Sequence, residues 1–231
     1  VIRKKAIVIL AILCIILLSA CTGASTKDEI YDHLEKAVTL EDAFEKQQDS
    51  IVELEKEEQQ LYSQIIDLGM DEFDKIKQLS KQAIESIEKR TDKIKLEKES
   101  IDASKEEFQE IKELIADLEE DKVRKKANEM YDVMMNRYEA YEKLNNAYNN
   151  SLKLEKELYT MLQDKDMKQE KLTDHISNIN ESYQKVLDAN DKFNASTTDY
   201  NALKKEFYDL AGIDVKYEAD VPDSKGGKQG E

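Results

Sequence analysis

Apolar residues recur every seven positions along this chain from Ile30 to Phe207, and the only proline, Pro222, lies beyond the last of them. A repeat of that length belongs to helices that bury one stripe against neighbouring helices. Counting sevens from Ile30 gives Ile30, Ala37, Phe44, Ile51, Glu58 and Ile65 in one row. The companion row holds His33, Leu40, Gln47, Leu54, Leu61 and Leu68, and nine of these twelve are apolar. Thr26 is expected to cap this first helix, with Glu29 completing a capping box. Gly69 is expected to end it in a left-handed conformation, with Asp71 capping the second helix.

A second row runs through Phe73, Ser80, Ile87, Ile94, Ile101, Phe108 and Ile115, with Ile76, Ala83, Ile111 and Leu118 beside it. Its unbroken phase predicts one uninterrupted helix over 73–118. Past Leu118 the same count lands on Lys122, Glu129 and Asn136, all polar, so a reversal is expected near 119–126 although no Gly or Pro marks it. A continuous helix with a shifted stripe is the competing reading. The third stripe includes Ala127, Met130, Met134, Tyr138, Tyr141, Leu144, Leu152, Leu158 and Leu162 and stops near Asp164. The fourth reads Leu172, Ile179, Val186, Phe193, Tyr200 and Phe207, apolar throughout, and Gly212 closes it. The prediction is an all-α fold, a long antiparallel up-and-down bundle of four helices, roughly 60 Å long at 1.5 Å per residue. A three-helix spectrin-like bundle and an extended, dimerising coiled coil are the alternatives.

Ahead of the repeat stand Arg3, Lys4 and Lys5, an uncharged run from Ala6 to Leu18, and small residues before Cys21. That is the layout of a signal peptide, and the run falls short of the about 20 apolar residues that a membrane span needs. Leu18, Ser19, Ala20 and Cys21 resemble the bacterial lipobox. The resemblance implies recognition by signal peptidase II at Leu18, Ser19 and Ala20 and a diacylglyceryl group on the Cys21 thiol. An ordinary signal followed by a chance cysteine is the competing reading. The expected organisation is a signal peptide at 1–20, a lipidated linker at 21–26, the helical bundle at 27–213 and a mobile tail at 214–231. The tail carries too little apolar surface to offset its ordering entropy.

Removal of the signal leaves 32 basic and 51 acidic residues, a net charge of −19. Nucleic acid is therefore excluded as a partner, since phosphate binding needs a surplus of Lys and Arg. Cys14 leaves with the signal, so no disulfide is expected and packing alone must hold the fold.

Lys122, Arg124, Lys125 and Lys126 form the densest basic cluster, at the bundle end expected to adjoin the lipid tether. Anionic head groups attract such charges by about 1 kcal/mol each; a solvated turn is the bland alternative. Tyr131, Tyr138, Tyr141, Tyr148 and Tyr159 share the third helix, where a glycan-stacking strip competes with plain core packing. The two histidines, His33 and His175, fall at opposite ends of the expected bundle. They cannot share a metal, and each is expected to be half-buried with a hydrogen bond. Polar seam residues Gln47, Glu58, Arg90 and Glu97 either mark an interior site or set register. No nucleophile beside a base, phosphate loop or metal-ligand spacing appears, so no catalytic residue, metal or cofactor is expected.

The lipobox at 18–21, "DEIYDHLEKAV" at 28–38, "YDVMMNRYEAYEKLNNAY" at 131–148 and "FYDLAGID" at 207–214 resemble the YkyA-type cell-wall-binding lipoproteins of Bacillus, Staphylococcus and their relatives. The resemblance spans nearly the whole chain. It implies a Gram-positive, extracytoplasmic location on the outer face of the cell membrane, a helical bundle and wall association, with no catalytic residues to carry over. The expected function is a non-enzymatic envelope interaction protein that contacts wall polymer or another envelope protein. The alternative is a binding module for a small molecule or cation within the bundle.

Overall fold

Ser25 starts the first helix. Its hydroxyl accepts from the Asp28 N–H at 3.3 Å, while the Asp28 carboxylate accepts from the Ser25 N–H at 3.1 Å. The capping box thus lies one residue earlier than the expected Thr26 and Glu29. The Ser25 box wins because it brings Thr26 inside the helix and lets the Ser25 carbonyl accept the Glu29 N–H at 3.0 Å.

The computed structural model describes residues 25–215. All their regular elements are helical: α1 (Thr26–Leu40), α2 (Asp42–Ile66), a 3₁₀ turn (Met70–Glu72), α3 (Phe73–Gln109), α4 (Ile111–Ala116), α5 (Asp121–Met161) and α6 (Gln169–Ala211). They form four arms, with α1 and α2 as the first and α3 and α4 as the second. The signal segment, Cys21 and most of the expected tail lie outside the described residues.

Two arms expected to be continuous are interrupted. Between α1 and α2, the Ser100 hydroxyl accepts from the Phe44 N–H at 3.1 Å and donates to the Leu40 carbonyl at 2.6 Å. These two backbone groups are the ones that would otherwise bond each other, so an inserted side chain explains the break. The helix predicted over 73–118 stops at Glu110, whose N–H reaches the Glu107 carbonyl at 3.3 Å, a tighter turn than the α pattern makes. Phe108 and Ile111 stay fully buried on either side, which is why the sevenfold count does not register this break.

The reversal after α4 occupies Asp117–Glu120, at the early edge of the expected window. Arg124 closes it by donating to the Leu118 carbonyl at 2.6 Å, a contact that replaces Gly or Pro. Gly69 is not left-handed: its φ is −87° and ψ 168°. That extended backbone is open to any residue, and a Cβ there would meet only the tip of the exposed Asp71 side chain, at 2.5 Å, which can turn aside. Gly212, at φ 72°, does end α6 as expected. The Ile213 N–H bonds the Tyr208 carbonyl at 3.0 Å and completes a Schellman cap.

Lys27 reaches Glu120 at 2.6 Å, so the start of α1 and the α4–α5 reversal share one end of the rod. At this near end all four arms contribute to one core, with Leu34, Phe108, Tyr138 and Phe207 among its members. The core toward the Gly69 end is different. Ile51, Ile65, Leu79, Ile87, Leu152 and Tyr159 come from α2, α3 and α5 only. There α6 packs on α5 and stands away from α2.

Candidate functional site

That separation opens a groove between α2 and α6. It has two lobes, of about 480 and about 560 Å³, that share Glu55, Tyr148, Val186 and Leu187. The α6 stripe is apolar throughout, yet Val186 is half-exposed and Leu187, beside it, is exposed. With no α2 packed over them, these side chains line the groove instead of filling a core.

The floor of the first lobe is an ionic knot. Arg90, 4% exposed, donates through Nη2 to both Glu58 and Glu155. Its Nη1 donates to the Tyr148 hydroxyl at 3.4 Å and lies 3.8 Å from Glu55, and Tyr148 in turn donates to Glu55 at 2.5 Å. The Arg90 Nε has no protein partner. One guanidinium therefore serves two buried carboxylates. Burial, followed by the Glu155 charge, pushes Glu58 up to about 7 against the pull of Arg90.

The second lobe contains Glu97, also 4% exposed, which accepts a hydrogen bond from the Gln48 amide and takes part in no ion pair among the described residues. Burial and the charge on Glu55 push its carboxyl up to about 7. Beside it, the buried Tyr141 hydroxyl has no hydrogen-bond partner. Arg137 lines the same lobe but is committed elsewhere. It binds the Glu41 carboxylate with two hydrogen bonds, of 2.8 and 2.7 Å, and its guanidinium stacks 4.7 Å from the Phe193 ring centroid.

These raised carboxyls set a pH dependence. Glu58 and Glu97 keep a proton in the fold, whereas their ordinary value is 4.5. Between about 4.5 and about 7 the folded state binds more protons than the unfolded state, so stability falls as the pH rises through that window. Asp28, Glu35, Glu107 and Glu129 are held below their ordinary values, so stability also falls on acidification beneath the same window. The melting temperature is expected to peak near about pH 5 and decline toward about pH 8. Glu97→Gln should recover on the order of 2 kcal/mol at the alkaline end. Parallel melting curves for wild type and variant across that range would refute the buried, unpaired state of Glu97.

Of the polar seam residues, Glu58, Arg90 and Glu97 all reach the groove. Gln47 does not line it; its amide donates to the Ala43 carbonyl at 3.3 Å. Sequence reasoning missed Glu55, Glu155 and Arg137. Glu155 and Arg137 were detectable as charges on the α5 stripe: Glu155 falls between Leu152 and Tyr159, and Arg137 between Met134 and Tyr141.

The tyrosines do not form one exposed strip. Tyr138 is core, its hydroxyl 2.9 Å from that of Ser104, and Tyr131 stacks on Phe108 at 5.5 Å. Tyr141 and Tyr148 line the groove, and Tyr159 belongs to its first lobe.

In the basic cluster, Arg124 pairs with Asp121. Lys126 pairs with Glu129 at 2.7 Å and with Glu206 at 2.8 Å, and Lys125 lies 3.9 Å from Glu129. Each histidine is half-buried and hydrogen-bonded, His33 to Glu107 at 2.6 Å and His175 to the Leu154 carbonyl at 2.7 Å. Among the described residues no group of His, Cys, Asp and Glu is arranged to hold a metal, and no helix is long and apolar enough to cross a membrane.

A family described as "Putative cell-wall binding lipoprotein" matches residues 25–210. The "Uncharacterized lipoprotein YkyA" of Bacillus subtilis (strain 168) is 35% identical over 201 residues, which are 87% of this chain and 90% of the relative. A crystal structure of a conserved protein of unknown function from Staphylococcus aureus superposes with a TM-score of 0.71 at 18% identity. The match covers 81% of this chain and 98% of that one, and it supports the helical fold alone. By the extent of the family match and its identity to the Bacillus relative, the chain belongs to the YkyA family of lipoproteins.

Proposed function

We propose that the protein is a non-enzymatic binding lipoprotein of the cell envelope. It is held to the outer face of the membrane by diacylglycerol on Cys21, and it captures a wall component or another envelope protein in the groove between α2 and α6. The single observation behind this reading is the groove itself, an open, two-lobed cleft that the fold leaves uncovered. Its lining runs from Phe44 to Tyr62 on the first arm. At 1.5 Å per residue that is roughly 30 to 50 Å along the rod from the tethered end. The family description, which names wall binding and lipidation rather than a reaction, agrees with it.

Charge restricts what the groove accepts. A mature chain of net charge −19 repels anionic wall polymers. Retention on wall is therefore expected to depend on neutral glycan or peptide, or on divalent cations as bridges. The test is a pull-down of the unlipidated mature chain on purified wall, with and without teichoic acid and Mg²⁺. Absence of retention in every arm removes wall as the ligand. A groove lobe of about 480 Å³ also suits a small molecule, the alternative occupant; stabilisation against heat in a metabolite screen distinguishes the two.

The basic cluster supports a second contact, with the bilayer. Arg124 and Lys126 are closely paired, so Lys122 and the more loosely paired Lys125, 3.9 Å from Glu129, carry most of the attraction. Reversing both, as Lys122→Glu with Lys125→Glu, is expected to weaken binding of the unlipidated protein to anionic vesicles on the order of tenfold. Unchanged vesicle binding ends that proposal.

A further inference from the structure

We propose that the groove recognises a primary ammonium group, seated between the Glu97 carboxylate and the Tyr141 hydroxyl in the second lobe, with the ligand's apolar body lying along Val52 and Leu187. This rests on the groove being the binding surface. Four carboxylates line its two lobes, those of Glu55, Glu58, Glu97 and Glu155. Arg90 answers Glu58 and Glu155, and Arg137 answers Glu41, which leaves the groove with surplus negative charge.

Glu97 has the strongest claim on an outside cation. It is 4% exposed, has only the neutral Gln48 amide as its hydrogen-bond donor, and faces a cavity. A buried carboxylate without a counter-charge is costly to keep, and such groups concentrate where a ligand supplies the missing charge. Tyr141 provides the second, independent sign. Its hydroxyl is buried in the lining of the same lobe and makes no hydrogen bond of ordinary length, with the Asn145 side chain close enough to compete for its oxygen. An ammonium group carries three donors and no acceptor, which matches a carboxylate and a hydroxyl oxygen lining one lobe. The Tyr141 ring, 5.9 Å from Phe44 and 5.6 Å from Phe193, adds aromatic surface that favours a cation over an anion. The rim is apolar as well, with Val52 44% and Leu187 58% exposed on opposite walls.

The protein for the test is the mature chain with Cys21→Ser. Its probes are the tripeptide amide Ac-Ala-Lys-Ala, the same peptide with an acetylated lysine side chain, and cadaverine, each titrated while the amide resonances of the groove are followed by NMR. The lysine peptide and cadaverine are expected to give saturable shifts at Glu97, Asn145 and Val186, and the acetylated peptide none. A lysine peptide that binds more tightly than the diamine identifies a peptide source. The reverse order identifies a free polyamine, and either order upholds the site.

Glu97→Gln should weaken amine binding at least about tenfold without lowering the melting temperature, because it removes a buried charge and keeps the shape. Tyr141→Phe should weaken it less. Equal binding of the acetylated peptide, unaltered affinity in Glu97→Gln, or no saturable shift with either amine overturns the proposal. Wall retention separates this inference from the broader reading. A protein that stays on wall but ignores amines loses only the ammonium site, whereas one that binds amines but not wall keeps the site and loses the wall.

Discussion

Arg90→Met is expected to destabilise the fold by about 3–5 kcal/mol, measured by urea unfolding near neutral pH. The substitution removes the only cation among the described residues that touches both Glu58 and Glu155, which are 8% and 3% exposed and belong to different arms. Two buried carboxyl groups are then left beside each other in the first lobe without a counter-charge. The cost comes from stranding them, not from the net worth of the original pairs, so it should shrink in mild acid, where Glu58 holds its proton. Glu58→Gln should be close to neutral by comparison, because Glu58 already holds its proton up to about 7. Replacing all three residues with methionine should restore most of the loss, since well-packed apolar side chains generally match or exceed a buried ionic cluster. A loss under about 1 kcal/mol for Arg90→Met would mean that water enters the lobe and compensates the carboxylates.

Phe108→Ala is expected to cost a similar amount, about 3–5 kcal/mol, for an unrelated reason. Phe108 is fully buried where three arms meet, stacked on Tyr131 at 5.5 Å and set edge-on to Tyr138 and Tyr200 at 6.0 Å each. Truncation leaves a cavity whose aromatic walls cannot collapse together without disturbing the Tyr138–Ser104 hydrogen bond. No pH dependence is expected here, which distinguishes this variant from Arg90→Met. In the groove, Leu187→Ala should cost much less than Phe108→Ala, because Leu187 is 58% exposed and has little packing to lose. Equal losses for the two would mean that α6 closes onto α2 in solution and that the groove is not open.

The helices and most of their ends were legible in the residues. Gly212 announced the left-handed close of α6, and the polar steps after Leu118 announced the reversal to within a few positions. The break at Glu41 was not legible, because its cause is the Ser100 hydroxyl, which is local to neither Leu40 nor Phe44. Gly69 misled because a glycine marks a left-handed turn only where φ is positive, and its φ of −87° is one that any residue adopts. The site was half-visible. Glu58, Arg90 and Glu97 stood out as charges on an apolar stripe, while Glu55 looked like any other acid on a solvated helix face.

By itself the sequence determined four amphipathic arms, their approximate lengths and the chain's acidic net charge, since these depend on contacts three and four residues apart and on a simple count. Which arms touch, and where they part, was decided only by tertiary structure. Val186 and Phe207 occupy equivalent places in one repeat, yet Phe207 is buried in a four-arm core and Val186 borders a groove. The stripe is wide enough for two neighbours or one, and nothing in its period says how many arrive. Likewise, Arg90 lies 32 residues from Glu58 and 65 from Glu155. Only the packing of three arms around one guanidinium makes those distant charges a single cluster, and only the gap beside α6 leaves that cluster at the floor of an open groove.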